Sequence, residues 1–399
     1  MAVDTATGDA LAARHTLATG GWIARKSESF RHLPPPAVDV WLGGESEHAT
    51  LAHEDGWQLA TVSGTPPDAV IAQRLDATDP AERATLLAGC DVVEGDEAAA
   101  FVWAHRALLR RGLRLAIGAG ESFVRLDREA LCRVEAPLLV LDVAEGAHCV
   151  LHEAHALAHA AATVQNLHVH IRLARGARLQ HLRHVPAAAD GQIAHHVHVT
   201  LAEDAHYAQA LLAVGGRYHL QRHVVRLEGA RAAARIDGVL LASGQDAIEQ
   251  QVLSHHRAAH TKSGAEVLAL AAGASRVVGN AWTQIAERCD EADARQKLVG
   301  IPVSGHPRLV LRPHLEIHHD QVQAAHGATV GSLPEEAIFF ARQRGLDASA
   351  AKALILTGMA RAALSRGVDD EALPDMLRLD AALADAVGSH LAIGEDAHG

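Results

Sequence analysis

Glu145-Gly146-Ala147, Arg175-Gly176-Ala177, Glu203-Asp204-Ala205, Glu228-Gly229-Ala230 and Ser263-Gly264-Ala265 repeat one phrase along the chain. A charged or small polar residue is followed by Gly or Asp, then by Ala, then by a run of strand-forming residues. The first four copies begin 30, 28 and 25 residues apart, roughly one strand–turn–strand unit each. A period that drifts in this way suits a β-solenoid whose coils carry loops of variable length. An antiparallel sandwich is the competing architecture, and periodicity alone does not separate the two. From Leu113 to about Val322 short β-type runs alternate with turn signals, and no long helical pattern interrupts them.

Composition narrows the choice. The 399 residues include only twelve aromatics, although 49% of the chain is hydrophobic. A β-rich domain usually leans on Phe, Tyr and Trp, so this core must be filled by stacked Val, Leu, Ile and Ala, as narrow parallel coils allow. Lys and Arg number 36 against 48 Asp and Glu, a formal charge of −12, and no basic run occurs. A nucleic-acid-binding surface is therefore excluded. The 29 histidines titrate just below neutrality and offset part of the acidic excess. Cys90, Cys132, Cys149 and Cys289 are scattered without a CxxC pair, which argues against a zinc ribbon, a thioredoxin-type motif or a self-contained iron–sulfur cluster. The N-terminus lacks a basic and then apolar leader. The longest stretch without Asp, Glu, Lys or Arg, Ala154 to Ile171, carries four His, a Gln and an Asn, so it is no membrane span. A cytoplasmic protein with reduced thiols is expected.

Three regions follow. Residues 1–112 form a helix-containing N-terminal region: 1–30 reads as helical, Pro34-Pro35-Pro36 breaks the pattern, and a second helix from Glu97 to Arg111 stops at Gly112. Residues 113–331 are the β core. Residues 332–399 are helical, with Ser332 and Glu335 as a capping box, Gly345 as a stop, Asp347 as the cap of a helix to Arg366, and a third helix from about Pro374 to Leu391.

Several chemical motifs can be weighed directly. No GxxxxGK[ST] occurs, since Gly118-Ala119-Gly120-Glu121-Ser122 lacks the phosphate-holding lysine, so ATP dependence must come from a partner. His168-Val169-His170 and His196-Val197-His198 each place two imidazoles on one strand face, which is metal-ligand geometry. They supply the rival reading, a stand-alone metal-binding β protein or metalloenzyme, but in so His-rich a chain they are read as solvated strand faces. His152, His155 and His159 mimic a helical metal face, and His152-Glu153-Ala154-His155 falls one residue short of HExxH. A secreted sugar-acting β-helix fits poorly, because Asn166 and Asn280 are the only asparagines and cannot build an Asn ladder.

The most specific stretch lies at 312–331, Arg-Pro-His-Leu-Glu-Ile-His-His-Asp-Gln-Val-Gln-Ala-Ala-His-Gly-Ala-Thr-Val-Gly. Leu315 and Ile317 face one way on a strand and Glu316 and His318 the other, while His326-Gly327 reads as a turn. An acidic helix start, the pair Phe339-Phe340, and Arg342-Gln343-Arg344-Gly345 follow. This stretch closely resembles the SufB/SufD family, scaffold subunits of the SUF iron–sulfur cluster assembly system, through Pro313, Leu315, Glu316, Ile317, His326 to Gly331, Arg342, Arg344 and Gly345. Weaker similarity covers Gln250 to Gln296 and Lys26-Ser27-Glu28-Ser29-Phe30-Arg31. A histidine rather than a cysteine at 326 is similar to the SufD branch; Ala324 stands where some members carry a cysteine, which leaves the imidazole as the reactive group.

The resemblance implies a right-handed parallel β-helix flanked by helical regions, and a scaffold rather than an enzyme. It implies a SufB-like partner joined through the end of the β-helix and a SufC-like ATPase docked on the C-terminal helices. No cofactor is tightly bound alone; a transient iron–sulfur cluster is shared with SufB. His326 is the implied iron or cluster ligand, with Glu316, His318 and His319 as supporting or iron-entry candidates. Ile338, Phe339, Phe340, Arg342, Arg344 and Gly345 are the implied ATPase interface. A purely structural solenoid is the third reading.

Overall fold

The computed structural model describes residues 5–24, 26–43, 55–62, 64–66, 68–90, 96–156, 163–369 and 373–391. The N-terminal elements are α1 (Thr5–Gly20), α2 (Val38–Leu42), β1 (Trp57–Thr61), β2 (Val70–Asp76), α3 (Pro80–Leu87) and α4 (Ala99–Leu108). Then come β3 (Arg111–Ile117), β4 (Gly120–Glu129), β5 (Val134–Glu135), β6 (Leu138–Val143), β7 (Ala147–Ala156), β8 (Val164–Leu173), β9 (Arg178–Val185) and β10 (Ala188–Leu201). The series continues as β11 (His206–Val214), β12 (Gly216–Leu227), β13 (Ala233–Ala242), β14 (Ala247–His256), β15 (Lys262–Ala271), β16 (Arg276–Ile285), β17 (Ala292–Pro302), β18 (Arg308–Ile317) and β19 (Val322–Val330). Three helices close the chain, α5 (Glu335–Gln343), α6 (Ala348–Leu364) and α7 (Leu373–His390).

Strand pairing decides between solenoid and sandwich. Sheet A runs β1-β4-β7-β9-β11-β13-β15-β17-β19, and sheet B runs β18-β16-β14-β12-β10-β8-β6-β3-β2. From β3 and β4 onward neighbours within a sheet are parallel and one coil apart in sequence. An antiparallel sandwich would pair sequence neighbours; this chain is a parallel β-solenoid. Antiparallel pairing of β1 with β4 and of β2 with β3 closes the first coil.

The repeated phrase marks one corner of the coil. Gly146, Gly176, Asp204, Arg231, His260 and Glu291 all adopt left-handed φ between +56° and +68°. Each donates its N–H to a carbonyl one coil on: Arg175, Glu203, Ala230, Ala259, Asp290 and Gln321 in turn. The residue after each is small and fully buried (Ala147, Ala177, Ala205, Ala232, Thr261, Ala292). Later copies of the phrase are therefore corrected. The fourth corner is Arg231-Ala232, not Glu228-Gly229-Ala230, and Ser263-Gly264-Ala265 lies inside β15. The ladder of N–H donors fixes the left-handed corner firmly enough for non-glycine residues to occupy it. The charged member of the phrase links coils at the surface, as where Arg231 reaches Glu203 at 2.7 Å and Asp204 at 2.6 Å.

Between the sheets the apolar core is stacked Leu, Val, Ile and Ala, with Trp57 and Tyr207 as its aromatic members. The other buried aromatics, among them Phe30, Trp41, Phe101 and Tyr218, gather where α1, α2 and α4 cover the outer face of sheet B. Helices α6 and α7 cover the outer face of sheet A through Leu356, Leu364, Leu379 and Leu383. No helix among the described residues is long and apolar enough to cross a membrane.

Helix ends differ from expectation in places. The first helix stops at Gly20, because Gly21 turns at φ +81° and Phe30 and Leu33 enter the core beyond it. The second is shorter than 97–111, since Arg111 already pairs with Asp76 in sheet B. Ser332 does not cap α5: burial of Leu333 holds that segment extended, and Pro334 occupies the cap position without a side-chain bond. Asp347 does cap α6, accepting from Ala350 N at 2.7 Å.

Candidate functional site

The solenoid is open at its last coil. Among the described residues β18 pairs only with β16, and β19 only with β17, so each leaves one hydrogen-bonding edge free. Register tells which side chains face inward. Leu309 and Pro313 lie beside Val277 and Ala281, and Ala328 beside Leu298, all three neighbours being interior. Alternation then sends Leu311, Leu315 and Ile317 inward on β18, and Val322, Ala324, His326 and Val330 inward on β19. Because no further coil covers these rows, Ile317 is 42% and Val330 57% exposed. The result is a hydrophobic core ending in cross-section.

His326 belongs to that inward row. It pairs with Gln296 in mid-strand, so the expected turn at His326-Gly327 is corrected: the register of β17 runs unbroken through Lys297↔Gly327. Beneath it Gln296 is buried, its Nε2 donating to Thr283 Oγ1 at 2.8 Å and to the His314 carbonyl at 3.0 Å, while its Oε1 is buried without a partner. Followed back through the coils, the same row reads Ala265, Ile236, Gln209 and His181. His326 itself is exposed.

Glu316, His318 and His319 lie elsewhere on this coil. Glu316 is on the outward row of β18 and accepts from His318 Nε2 at 2.8 Å and from Gln284 Nε2 at 3.0 Å. Those hydrogen bonds, the His318 one foremost, hold its carboxyl below the usual range. His319, in the turn before β19, is bonded instead to Asp290 at 2.7 Å. No hydrogen bond or ion pair among the described residues joins His326 to these three. The four cysteines offer no thiolate nearby: burial pushes Cys90 and Cys132 up to about 11, Cys149 up to about 12, and Cys289 upward.

A second exposed surface lies on α5 and α6. Phe339 and Phe340 are 57% and 55% exposed, edge to face at 6.1 Å, and Leu354 of α6 is 58% exposed. Ile338 turns the other way and packs with the helices over sheet A. Arg342 and Arg344 are exposed on the same helix end, where Arg344 donates to the Phe340 carbonyl at 3.2 Å and Gly345 turns at φ +91°. Two large exposed aromatics side by side mark an interaction surface better than a monomer's ordinary exterior.

Two histidine groups differ from the sequence expectation. His168, His170, His196 and His198 are not on a solvated face. They stand in register on β8 and β10 beneath α4, with His168 4.6 Å from His196 and His170 4.8 Å from His198, ring over ring. His105 and Phe101 of α4 lie 4.5 Å from His168 and 4.9 Å from His196. His152 and His155 are on strand β7 rather than on a helix, and His159 lies outside the described residues. Inside the solenoid His155, His181 and Arg183 bond Glu153 at 2.5, 2.9 and 2.8 Å, all fully buried. Arg183 also donates to Gln221 at 3.1 Å, and Tyr207 donates to Gln209 at 2.9 Å, extending a polar network along the interior. Alternating polar residues at strand positions that should be apolar were the available signal.

Residues 125–359 match the family described as "SUF system FeS cluster assembly, SufBD core domain". The chain is also similar to the iron–sulfur cluster assembly protein SufD of Escherichia coli (strain K12), 26% identical over 236 residues, which is 58% of this chain and 55% of that protein. The chain thus spans about half the length of the curated relative it matches.

Proposed function

The chain belongs to the SufBD core family of the SUF system for iron–sulfur cluster assembly, and we propose that it acts there as a SufD-like scaffold subunit. The observation that carries this reading is the open coil. Two long strand edges and an uncovered apolar core are an aggregation hazard unless another chain takes them. A SufB-like solenoid adding one strand to each sheet would continue both.

At such a seam His326 would stand on the inward row, facing the partner's cysteine. A neutral imidazole nitrogen suits iron(II) as a borderline ligand. Iron and sulfide are the cargo, and the cluster formed from them would be shared across the seam rather than held by this chain. Glu316, His318 and His319, on the flank and corner of the same coil, would receive incoming iron. The Phe339–Phe340 surface, with Arg342 and Arg344, would dock a SufC-like ATPase, which supplies the hydrolysis that this chain lacks a phosphate loop to perform. Motion of the ATPase would pass to the solenoid through α6, whose following turn binds Glu266 of β15 by Arg366 at 2.7 and 2.8 Å.

Co-expression with SufB-like and SufC-like partners, followed by pull-down and iron and sulfide assay, tests the reading. His326→Ala should leave the complex intact and deplete iron and sulfide. Moving the imidazole one residue, as Ala325→His with His326→Ala, should not restore them. Unchanged cluster content in His326→Ala would refute the role of this side chain.

A further inference from the structure

We propose that His168, His170 and His198, on the outer face of sheet B beneath α4, bind a divalent transition-metal ion of the zinc class at a site distinct from the open coil. One ligand nitrogen from each lies within 4.8 Å of the others. Two adjacent parallel strands fix their positions, with His170 directly beside His198 in the register. This rigidity favours a preorganised site over a chance surface pair.

The nitrogens are free to coordinate. None of the three imidazoles makes a hydrogen bond among the described residues, and the Nε2 atoms of His168 and His198 are buried without a partner. His168 is 1% exposed. A buried polar atom left in that state is costly unless something engages it, and an aliphatic side chain would fill the space better. A metal ion resolves the cost.

Ligand chemistry selects the ion. Three imidazoles without thiolate or carboxylate suit Zn²⁺ and its borderline neighbours, not Ca²⁺ or Mg²⁺, which need oxygen. Zinc–nitrogen bonds of about 2.0–2.1 Å place tetrahedral ligand atoms about 3.3 Å apart, so the three atoms need close by no more than about 1.5 Å. Rotation of the outer imidazoles supplies that movement. The half-buried His170 and His198 leave the fourth position on the side open to water or a small anion. Three of the neighbouring guanidiniums are engaged: Arg222 with Asp96 at 2.5 Å, Arg172 with Asp142 at 2.6 Å, and Arg106 with the Cys90 carbonyl. His105 of α4 is hydrogen-bonded to the Pro137 carbonyl at 3.0 Å and packs against His168, holding the innermost ligand in place.

Tag-free full-length protein, stripped with chelator, should be titrated with Co²⁺. The visible d–d bands of tetrahedral cobalt should appear at one equivalent and disappear when Zn²⁺ is added. His170→Gln and His198→Gln, both at half-buried positions and checked for folding by circular dichroism, should lose the bands; His260→Gln, an exposed corner residue, should keep them. Absence of tetrahedral bands in the wild type overturns the proposal whatever the variants do. Bands that persist in both His170→Gln and His198→Gln overturn it as well.

Discussion

Mild acid should destabilise this protein above the ordinary carboxylate range, through its interior histidines. His155, His181, His195, His219, His223 and His256 all lie between the sheets, and burial lowers the pKa of each. His219 and His256 fall to about 4. For His155 and His181 the hydrogen bond to Glu153 works in the opposite direction and does not overcome burial. Below about pH 6.5 the unfolded chain therefore binds protons that the folded chain refuses, so stability is fully present above that pH and declines as pH falls towards the folded values. Each such group contributes up to about 1.4 kcal/mol per pH unit while it stays neutral in the fold, against a total stability of about 5–15 kcal/mol. Asp237 and Glu249, whose pKa values burial pushes up to about 7 and about 8, take up protons in the fold and offset part of that loss. Glu153 cannot account for the same loss. Burial raises its pKa, but the Arg183 charge and the bonds from His155 and His181 outweigh it, and its contribution disappears only below the ordinary carboxylate range. Urea unfolding followed by circular dichroism between about pH 7.5 and 5.5 measures the effect, with a midpoint that should fall across that window. A midpoint that holds steady down to about pH 5 would show that these imidazoles can be protonated in the folded state, and would refute the argument.

Glu153→Gln should destabilise the isolated protein by about 3–5 kcal/mol at neutral pH, because it leaves the Arg183 guanidinium buried without a counter-charge. The urea midpoint reports this directly, and a shift under about 1 kcal/mol would mean that Gln221 and water already satisfy the arginine. Phe339→Ser with Phe340→Ser should leave the thermal midpoint nearly unchanged, since both rings are more than half exposed, while abolishing co-purification with a SufC-like ATPase. Retention of the ATPase would move its docking site away from α5.

The solenoid was legible because its determinants are local. A glycine or aspartate able to turn left-handed, followed by an alanine small enough for the corner, marks the first three coils in the sequence. The signal faded where the fold itself enforces the corner: Arg231, His260 and Glu291 take the same backbone conformation with no compositional sign of it. The aliphatic interior was readable from the shortage of aromatics, and Asp347 from its capping chemistry. Ser332 misled because burial of Leu333, a tertiary effect, outweighs a cap. The His-x-His strands misled for a related reason. Alternation shows that two imidazoles share a face, but only the packing of α4 on sheet B decides whether that face meets water. His326-Gly327 looked like a turn because glycine suggests one, whereas at the edge of a sheet the neighbouring register keeps the strand extended.

Counting histidines says little about this chain; asking which are denied a partner says more. The six interior imidazoles each have at least one bonded nitrogen, to Glu153, Gln165, Gln209, Gln221, Thr261 or Ser263 among others. A coil lies above and below each of them, so the solenoid can supply those bonds. His326 occupies the same kind of inward position on the one coil with nothing beyond it. Gln296 beneath bonds Thr283 and the His314 carbonyl through its Nε2 alone, so it donates nothing to the imidazole above it. His168, His170 and His198 lack partners for a different reason, since their neighbours are His196, one another and the aromatic underside of α4. Ring stacking fills that space but gives the nitrogens nothing to bond. In both places the geometry of a repeating coil positions an imidazole and withholds its hydrogen-bond partner, and this, more than burial or abundance, sets these histidines apart from those bonded within the fold.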